Sequence, residues 1–236
     1  MAAKKVKIKV TKKKINIKRL FLAFLLIIGI VLFVAYLIHL PVKNIYITGN
    51  TIISDKEIMK ISELSDYPPY INTYFMNIKE NLIANEYIKN VKIKRKMNNK
   101  IYLNIEEYKP LAIYNDQLLL SSGKLVKNYY NIDYVPYITN DIHDVYDSFV
   151  DSFSKVDNDI LLKISHIEYI PNKVDKKRFV LYMVDGNYVY ITLPTIKKIN
   201  KYNSIVNALD GKKGIINLDL GNYAKIKDWH KQTDII

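Results

Sequence analysis

The 236-residue chain has no cysteine, so neither a disulfide framework nor a thiol nucleophile is available to it. Glycine is scarce, with seven in all, and the chain contains no G-x-G-x-x-G and no G-x-x-x-x-G-K, which excludes the familiar phosphate-cradling loops. No serine sits in a G-x-S-x-G elbow. The four histidines, His39, His143, His166 and His230, are scattered, and no two stand at the spacing of a helical metal pair. Acidic residues are missing altogether from the first 19 positions, where eight Lys and one Arg stand. Residues 20–40 lack charge of either sign.

That uncharged run, LFLAFLLIIGIVLFVAYLIHL, is what organises the chain. As a helix it reaches ~31 Å, about the thickness of a bilayer's hydrocarbon core. A helix satisfies its own backbone hydrogen bonds where water cannot. The run exceeds the core of a signal peptide, and no small-x-small cleavage site follows it. The basic segment before it predicts a cytoplasmic N-terminus and a single pass, with residues 41–236 on the other side. A nucleic-acid role for that segment is set aside, because topology and anionic lipid account for its charge. Of the formal +13, the first 19 residues supply +9; the part beyond the span holds 27 basic and 23 acidic residues, or +4. That balance does not mark a polyanion binder.

After Pro41, which ends the helix, residues 42–48 read as a strand stopped by Gly49-Asn50. Ser54-Asp55-Lys56-Glu57 has the pattern of a capping box opening a short amphipathic helix. A second helix is expected over residues 78–84. Val91 and Ile93 alternate with Lys92 and Lys94. After a turn at residues 97–100, Ile101, Leu103 and Ile105 alternate with Tyr102, Asn104 and Glu106, which predicts a hairpin with one dry face. The order strand, helix, helix, strand, strand makes a compact α+β unit. Pro110 marks the expected domain boundary. Beyond it, residues 111–114, 118–120, 125–127, 167–170, 179–184, 188–193 and 215–220 are strand candidates. Residues 141–154 and 195–209 are helical candidates, the former with Ile142, Val145, Phe149 and Phe153 on one face.

The motifs VKNIYITGNTIISDKEI (42–58), VKIKRKMNNKIYLNIEE (91–107) and EYKPLA (107–112) resemble the FtsQ/DivIB family of cell-division proteins. The last is similar to the family's E-R-x-P-x-A, with Tyr108 in place of Arg. The chain departs from the family's prolines before the second strand, where Glu86-Tyr87 stand, and in the hairpin turn, where Met97-Asn98 stand. The resemblance implies an α+β fold: one transmembrane helix, then a POTRA domain (β-α-α-β-β), then a mixed, mainly antiparallel β domain with flanking helices. The expected boundaries are a basic tail at 1–19, the span at 20–40, the POTRA domain at 41–110, the β domain at 111–223 and a loose tail at 224–236 that contains Trp229.

The acidic run Asp141, Asp144, Asp147, Asp151, Asp157 and Asp159 lacks the glycine of a calcium loop and reads as a solvated face. Glu106 and Glu107 are strand neighbours that point apart and are read as structural. No catalytic residue, cofactor or metal is expected, and neither is a nucleic acid or small-molecule substrate. A sheet edge can accept an incoming strand. The run 215–220 is expected at such an edge. The resemblance implies that partners of FtsB/DivIC and FtsL type bind there, on Ile215, Ile216, Asn217, Leu218, Asp219, Leu220, Tyr223 and Ala224. Asp219 would be a gatekeeping charge and Tyr223 an aromatic anchor. A divisome scaffold located at the septum, in contact with the septal wall synthase, is the leading expectation. A POTRA-bearing secretion component and a membrane-tethered wall enzyme are the rivals.

Overall fold

A computed structural model describes residues 16–219 and 223–226 of the chain. Helix α1 (Ile17–Ile38) begins under the Asn16 cap, whose side chain accepts from the Lys18 amide. It takes in Lys18 and Arg19 at one end and stops just short of Pro41 at the other. None of its residues is buried in the protein, as a helix solvated by lipid requires. With it, the chain has one helix long and apolar enough to cross a membrane among the described residues.

The first unit follows at once. Strand β1 (Asn44–Thr48) leads to α2 (Asp55–Ile61), a 3-10 turn (Tyr70–Tyr74), α3 (Ile78–Ile83), β2 (Ile88–Lys96) and β3 (Lys100–Glu107). The order in the sheet is β1-β3-β2, with β1 parallel and β2 antiparallel to β3. Ser54 caps α2 by accepting from the Glu57 amide at 3.3 Å. Glu57 does not return to the cap; its carboxylate accepts from the Tyr130 hydroxyl at 3.0 Å. Gly49 adopts a positive φ of 86°, and a Cβ there would lie 2.2 Å from the Ile105 carbonyl oxygen. Only glycine fits that crossing. The alternation in the hairpin settles as expected, with Val91, Ile101, Leu103 and Ile105 inward against Ile58, Leu64, Ile78 and Leu82. The turn between the strands places Asn98 and Asn99 at positive φ, which asparagine tolerates best after glycine.

Among the described residues the second sheet has nine strands. In chain order they are β4 (Pro110–Tyr114), β5 (Gln117–Leu120), β6 (Leu125–Val126), β7 (Tyr137–Ile138), β8 (Ile164–Tyr169), β9 (Arg178–Met183), β10 (Tyr188–Thr192), β11 (Gly214–Asn217) and β12 (Tyr223–Ile226). They lie in the order β12-β11-β10-β9-β8-β7-β4-β5-β6. Helix α4 (Tyr146–Phe153), α5 (Asn158–Leu161), a 3-10 segment (Leu193–Lys201) and α6 (Tyr202–Ala208) supply the rest of its core. Phe149 and Phe153 stack at 4.0 Å between ring centroids and meet Phe179. Ile142 and Val145 join them, as the helical spacing predicts, although a 3-10 turn precedes α4. The opposite face carries Tyr182, Tyr188 and Tyr190, with Tyr182 donating to Glu168 at 2.5 Å. The Asp185-Gly186-Asn187 turn joins β9 and β10.

One expectation is corrected. Residues 224–226, expected to open a loose tail, form most of β12; Trp229 and His230 lie outside the described residues. Pro110, the expected domain boundary, is the first residue of β4. The two units meet in a cleft of about 440 Å³ bordered by Gly49, Glu107, Tyr134 and Leu161.

Candidate partner-binding edge

Strands β10, β11 and β12 form the C-terminal end of the large sheet. Strand β11 runs parallel to β10, with Tyr188 opposite Ile215. On its other side β12 runs antiparallel, with Ile216 opposite Ala224 and Asn217 opposite Tyr223. The expectation that 215–220 forms the edge is therefore corrected. Its ladder ends at Asn217, and β12 lies antiparallel against it. The end of β11 is held rigidly. The Leu218 amide donates to the Tyr190 carbonyl at 2.8 Å, and the Leu218 carbonyl accepts from Thr195 Oγ1 at 3.1 Å and Lys198 Nζ at 3.3 Å. At the start of β11, Gly214 lies so close to β12 that a Cβ would sit 2.1 Å from the Lys225 carbonyl oxygen.

The eight expected contact residues thus divide. Ile216 and Leu218 are core, at 1% and 3% exposure. Ile215 and Asn217 are half-buried. Asp219 is not a solvent-facing gatekeeper. Its side chain is 5% exposed and receives Arg178 Nε at 2.8 Å, while the Arg178 guanidinium lies 4.6 Å over the Tyr190 ring. Partial burial leaves that bridge less screened by water than the other ion pairs among the described residues. Tyr223 and Ala224 are exposed on β12, and Leu220 lies outside the described residues. Lys225 and Ile226, which the sequence reading missed, share that exposed strand. A four-residue alternation after an apolar run is a weak signal, and its strand partner β11 is what makes it a strand. Among the described strands, β12 pairs only with β11, so no described strand takes up the backbone donors and acceptors of its other side.

Behind this edge lies a buried polar relay. Asn187, 2% exposed, accepts from the Gly214 amide at 2.8 Å and donates to the Tyr202 hydroxyl at 3.0 Å. Tyr202 in turn donates to Asp185 at 2.8 Å. Burial, more than the carboxylate, drives the Tyr202 phenol well above its ordinary value.

The other titratable groups singled out from the sequence are engaged separately. Asp141 accepts from the Tyr114 hydroxyl at 2.7 Å, which chiefly holds its carboxyl below the usual range. Asp151 pairs with Lys155 and Asp159 with Asn203. Among the described residues no three His, Asp or Glu side chains gather as a metal-holding group. Glu106 pairs with Lys89 at 2.6 Å in solvent. Glu107 accepts from the amides of Thr51, Ile52 and Ile53 and from the Thr51 hydroxyl, all at 2.8–2.9 Å. The pair is therefore split between the two faces, as strand geometry requires. Lys109 donates to the Val156 carbonyl across the junction, and burial pulls its ammonium below the ordinary lysine range.

Residues 40–108 match the POTRA domain of FtsQ type. The cell-division protein DivIB of Bacillus anthracis is 30% identical over 227 residues, covering 91% of this chain and 85% of that protein. DivIB of Bacillus subtilis (strain 168) is 30% identical over 233 residues, covering 92% and 87%. The major extracytoplasmic domain of DivIB from Geobacillus stearothermophilus, a solved structure, aligns with 23% identity and a TM-score of 0.37 over 44% of this chain and 96% of that one.

Proposed function

Because the chain belongs to the DivIB family of cell-division proteins, we propose that it is a non-catalytic scaffold of the division machinery. It holds bitopic membrane partners of FtsB/DivIC and FtsL type and helps coordinate septal peptidoglycan synthesis. Its basic N-terminus stays in the cytoplasm, its two folded units lie outside, and it collects at the septum, where the septal wall synthase is a further partner. The observation that carries this reading is the open edge of β12, which can take up an extended segment by strand addition. A span confines partners to the membrane plane and raises their effective concentration, so a short edge suffices. The relatives, named as cell-division proteins over nine-tenths of this chain, favour this reading over the secretion and wall-enzyme rivals.

The test is capture of the partners' extracytoplasmic segments by the full-length protein. Tyr223 and Ile226, 53% and 50% exposed, can be changed without opening the core. Tyr223→Ala with Ile226→Ala is expected to weaken capture ~10-fold, a loss of about 1.4 kcal/mol. Capture unchanged by that pair moves the partner site off β12. A fluorescent fusion ahead of Met1 that stays uniform in the membrane of dividing cells rejects the division role itself.

A further inference from the structure

The exit from α1 has no slack. The helix ends at Ile38, and the Leu40 carbonyl already accepts from the Tyr70 amide at 2.8 Å. Pro41 bridges to Pro69, and the Val42 amide donates to Pro68 at 3.0 Å. The tip of the β2–β3 hairpin is fastened to the same few residues: Asn99 Nδ2 donates to the Pro41 carbonyl at 3.0 Å, and the Lys43 amide to the Asn99 carbonyl at 2.9 Å. Since two extended residues span under ~8 Å, the loops 67–75 and 97–99, tied at Pro68, Pro69, Tyr70 and Asn99, lie beside the end of α1.

These two loops carry large apolar side chains that the unit does not bury. Met97 is 92% exposed, Phe75 83%, Tyr74 56% and Ile71 41%. They are tied together: Tyr70 donates to the Lys96 carbonyl at 2.9 Å, its ring meets Tyr74 edge-on, and the Arg95 guanidinium covers Tyr74 at 4.8 Å. The charge around them has one sign. Residues 40–54, 67–79 and 87–105 contain no acid, and they hold Lys43, Lys94, Arg95, Lys96 and Lys100 near the hairpin tip. Lys96 faces Lys100 directly across the strand pair, so two like charges stand side by side, with the Lys96 ammonium 4.8 Å over the Tyr102 ring.

We infer that this end of the first unit is an interfacial foot. Phe75, Met97, Tyr74 and Ile71 enter the acyl boundary of the leaflet at the C-terminal end of α1, and Lys43, Arg95, Lys96 and Lys100 bind the phosphates of anionic lipids. Apolar side chains of this size and lysines with long stems suit that boundary, where one end of each group is dry and the other wet. Each lysine near an anionic surface adds to the attraction. The foot fixes the tilt of the unit on the membrane and so sets the direction in which β12 is presented. The inference rests on α1 spanning the bilayer.

The cysteine-free chain permits a direct test. Single cysteines replace Phe75, Met97, Val174 on the β8–β9 loop and Ile30 in the span, each carrying an environment-sensitive fluorophore. The full chain is reconstituted into vesicles of phosphatidylcholine, alone or mixed with phosphatidylglycerol, with doxyl-labelled lipid as quencher. Labels at 75 and 97 are expected to be quenched ~2-fold or more above the label at 174, and more so with phosphatidylglycerol at low salt. Lys96→Glu with Lys100→Glu should remove the lipid-composition dependence while leaving the Ile30 signal intact. Quenching at 75 and 97 equal to that at 174, with Ile30 quenched, overturns the foot and leaves the span standing. An unquenched Ile30 label overturns both. Quenching that ignores phosphatidylglycerol overturns the anionic selection. A response that grows only with protein density assigns the face to a second copy instead.

Discussion

The three-stranded sheet packs both its helices on one face and leaves Tyr46 and Tyr102 stacked at 4.7 Å on the other. The nine-stranded sheet closes a core of its own beneath α4, α5 and α6. The small unit is not self-sufficient. Its apolar core includes Leu118, Leu120, Val126, Ile132 and Val135, all from beyond the expected boundary. Strand β5 makes this possible: Leu118 and Leu120 point to the first core while Leu119 points to the second. Tyr87 reaches across to the Lys127 carbonyl at 2.8 Å, and its ring meets Tyr130 edge-on. One strand thus serves two interiors. The first unit is complete only in the company of the second, whereas the second owes the first little of its own core.

That asymmetry can be broken by paired truncations. Phe149→Ala opens a cavity in the larger core and is expected to cost ~3–5 kcal/mol, with faster amide exchange confined to the second sheet. Leu120→Ala, at ~2–5 kcal/mol, should instead loosen α2 and α3 as well as β5, although residue 120 lies outside the first unit. Exchange that rises only around β5 after Leu120→Ala would make the two cores independent. A smaller effect sharpens the contrast within the first unit. Glu107→Gln removes the charge that gathers three amides of residues 51–53 and puts an amide donor where only acceptors serve. The expected loss is ~1–3 kcal/mol, read as a lower midpoint in urea with an unchanged slope.

The smallest effect belongs to the second sheet. Tyr202→Phe strips the relay behind β11 and leaves the Asn187 side-chain amide without its acceptor, for ~1 kcal/mol. The pH dependence follows from the same phenols. Burial raises Tyr202 and pushes Tyr130 up to about 12, and the bond to Glu168 pushes Tyr182 up to about 12. An unfolded phenol ionises near pH ~10, so the unfolded chain releases these protons first. The stability they contribute is whole below that pH and falls as pH rises toward about 12. Alkaline melts of the Tyr202→Phe protein should lose less between neutral pH and pH ~11 than those of the parent.

Local patterns were readable wherever one face is dry and the other wet. The β2–β3 hairpin, the Ser54 cap and the Ile142–Phe153 stripe rest on period and capping alone, and they are found where the residues place them. What the residues do not declare is partnership. Leu118-Leu119-Leu120 reads as a buried strand, but nothing in three leucines says that they divide between two cores. Ile215 to Leu220 reads as a strand with a free side until β12 is seen lying against it. Asp219 reads as a surface charge because its counter-ion, Arg178, is 41 positions away. Glu107 reads as structural from strand geometry, while its role as an acceptor for three amides depends on a contact 54 to 56 positions distant.

Strand β1 is the first made after α1, yet among the described residues its ladder is with β3 alone, where Asn44 meets Lys100. A chain made at ~5–20 residues per second offers β1 no partner for several seconds after α1 is complete. During that interval Ile45 and Ile47 have no sheet to enter, and the shared core still lacks Leu118 through Val135. The first strand made is therefore locked in only once the chain has grown through Val135, while the larger core waits for strands made later still, and until then the edge of β1 is open to pairing with other chains.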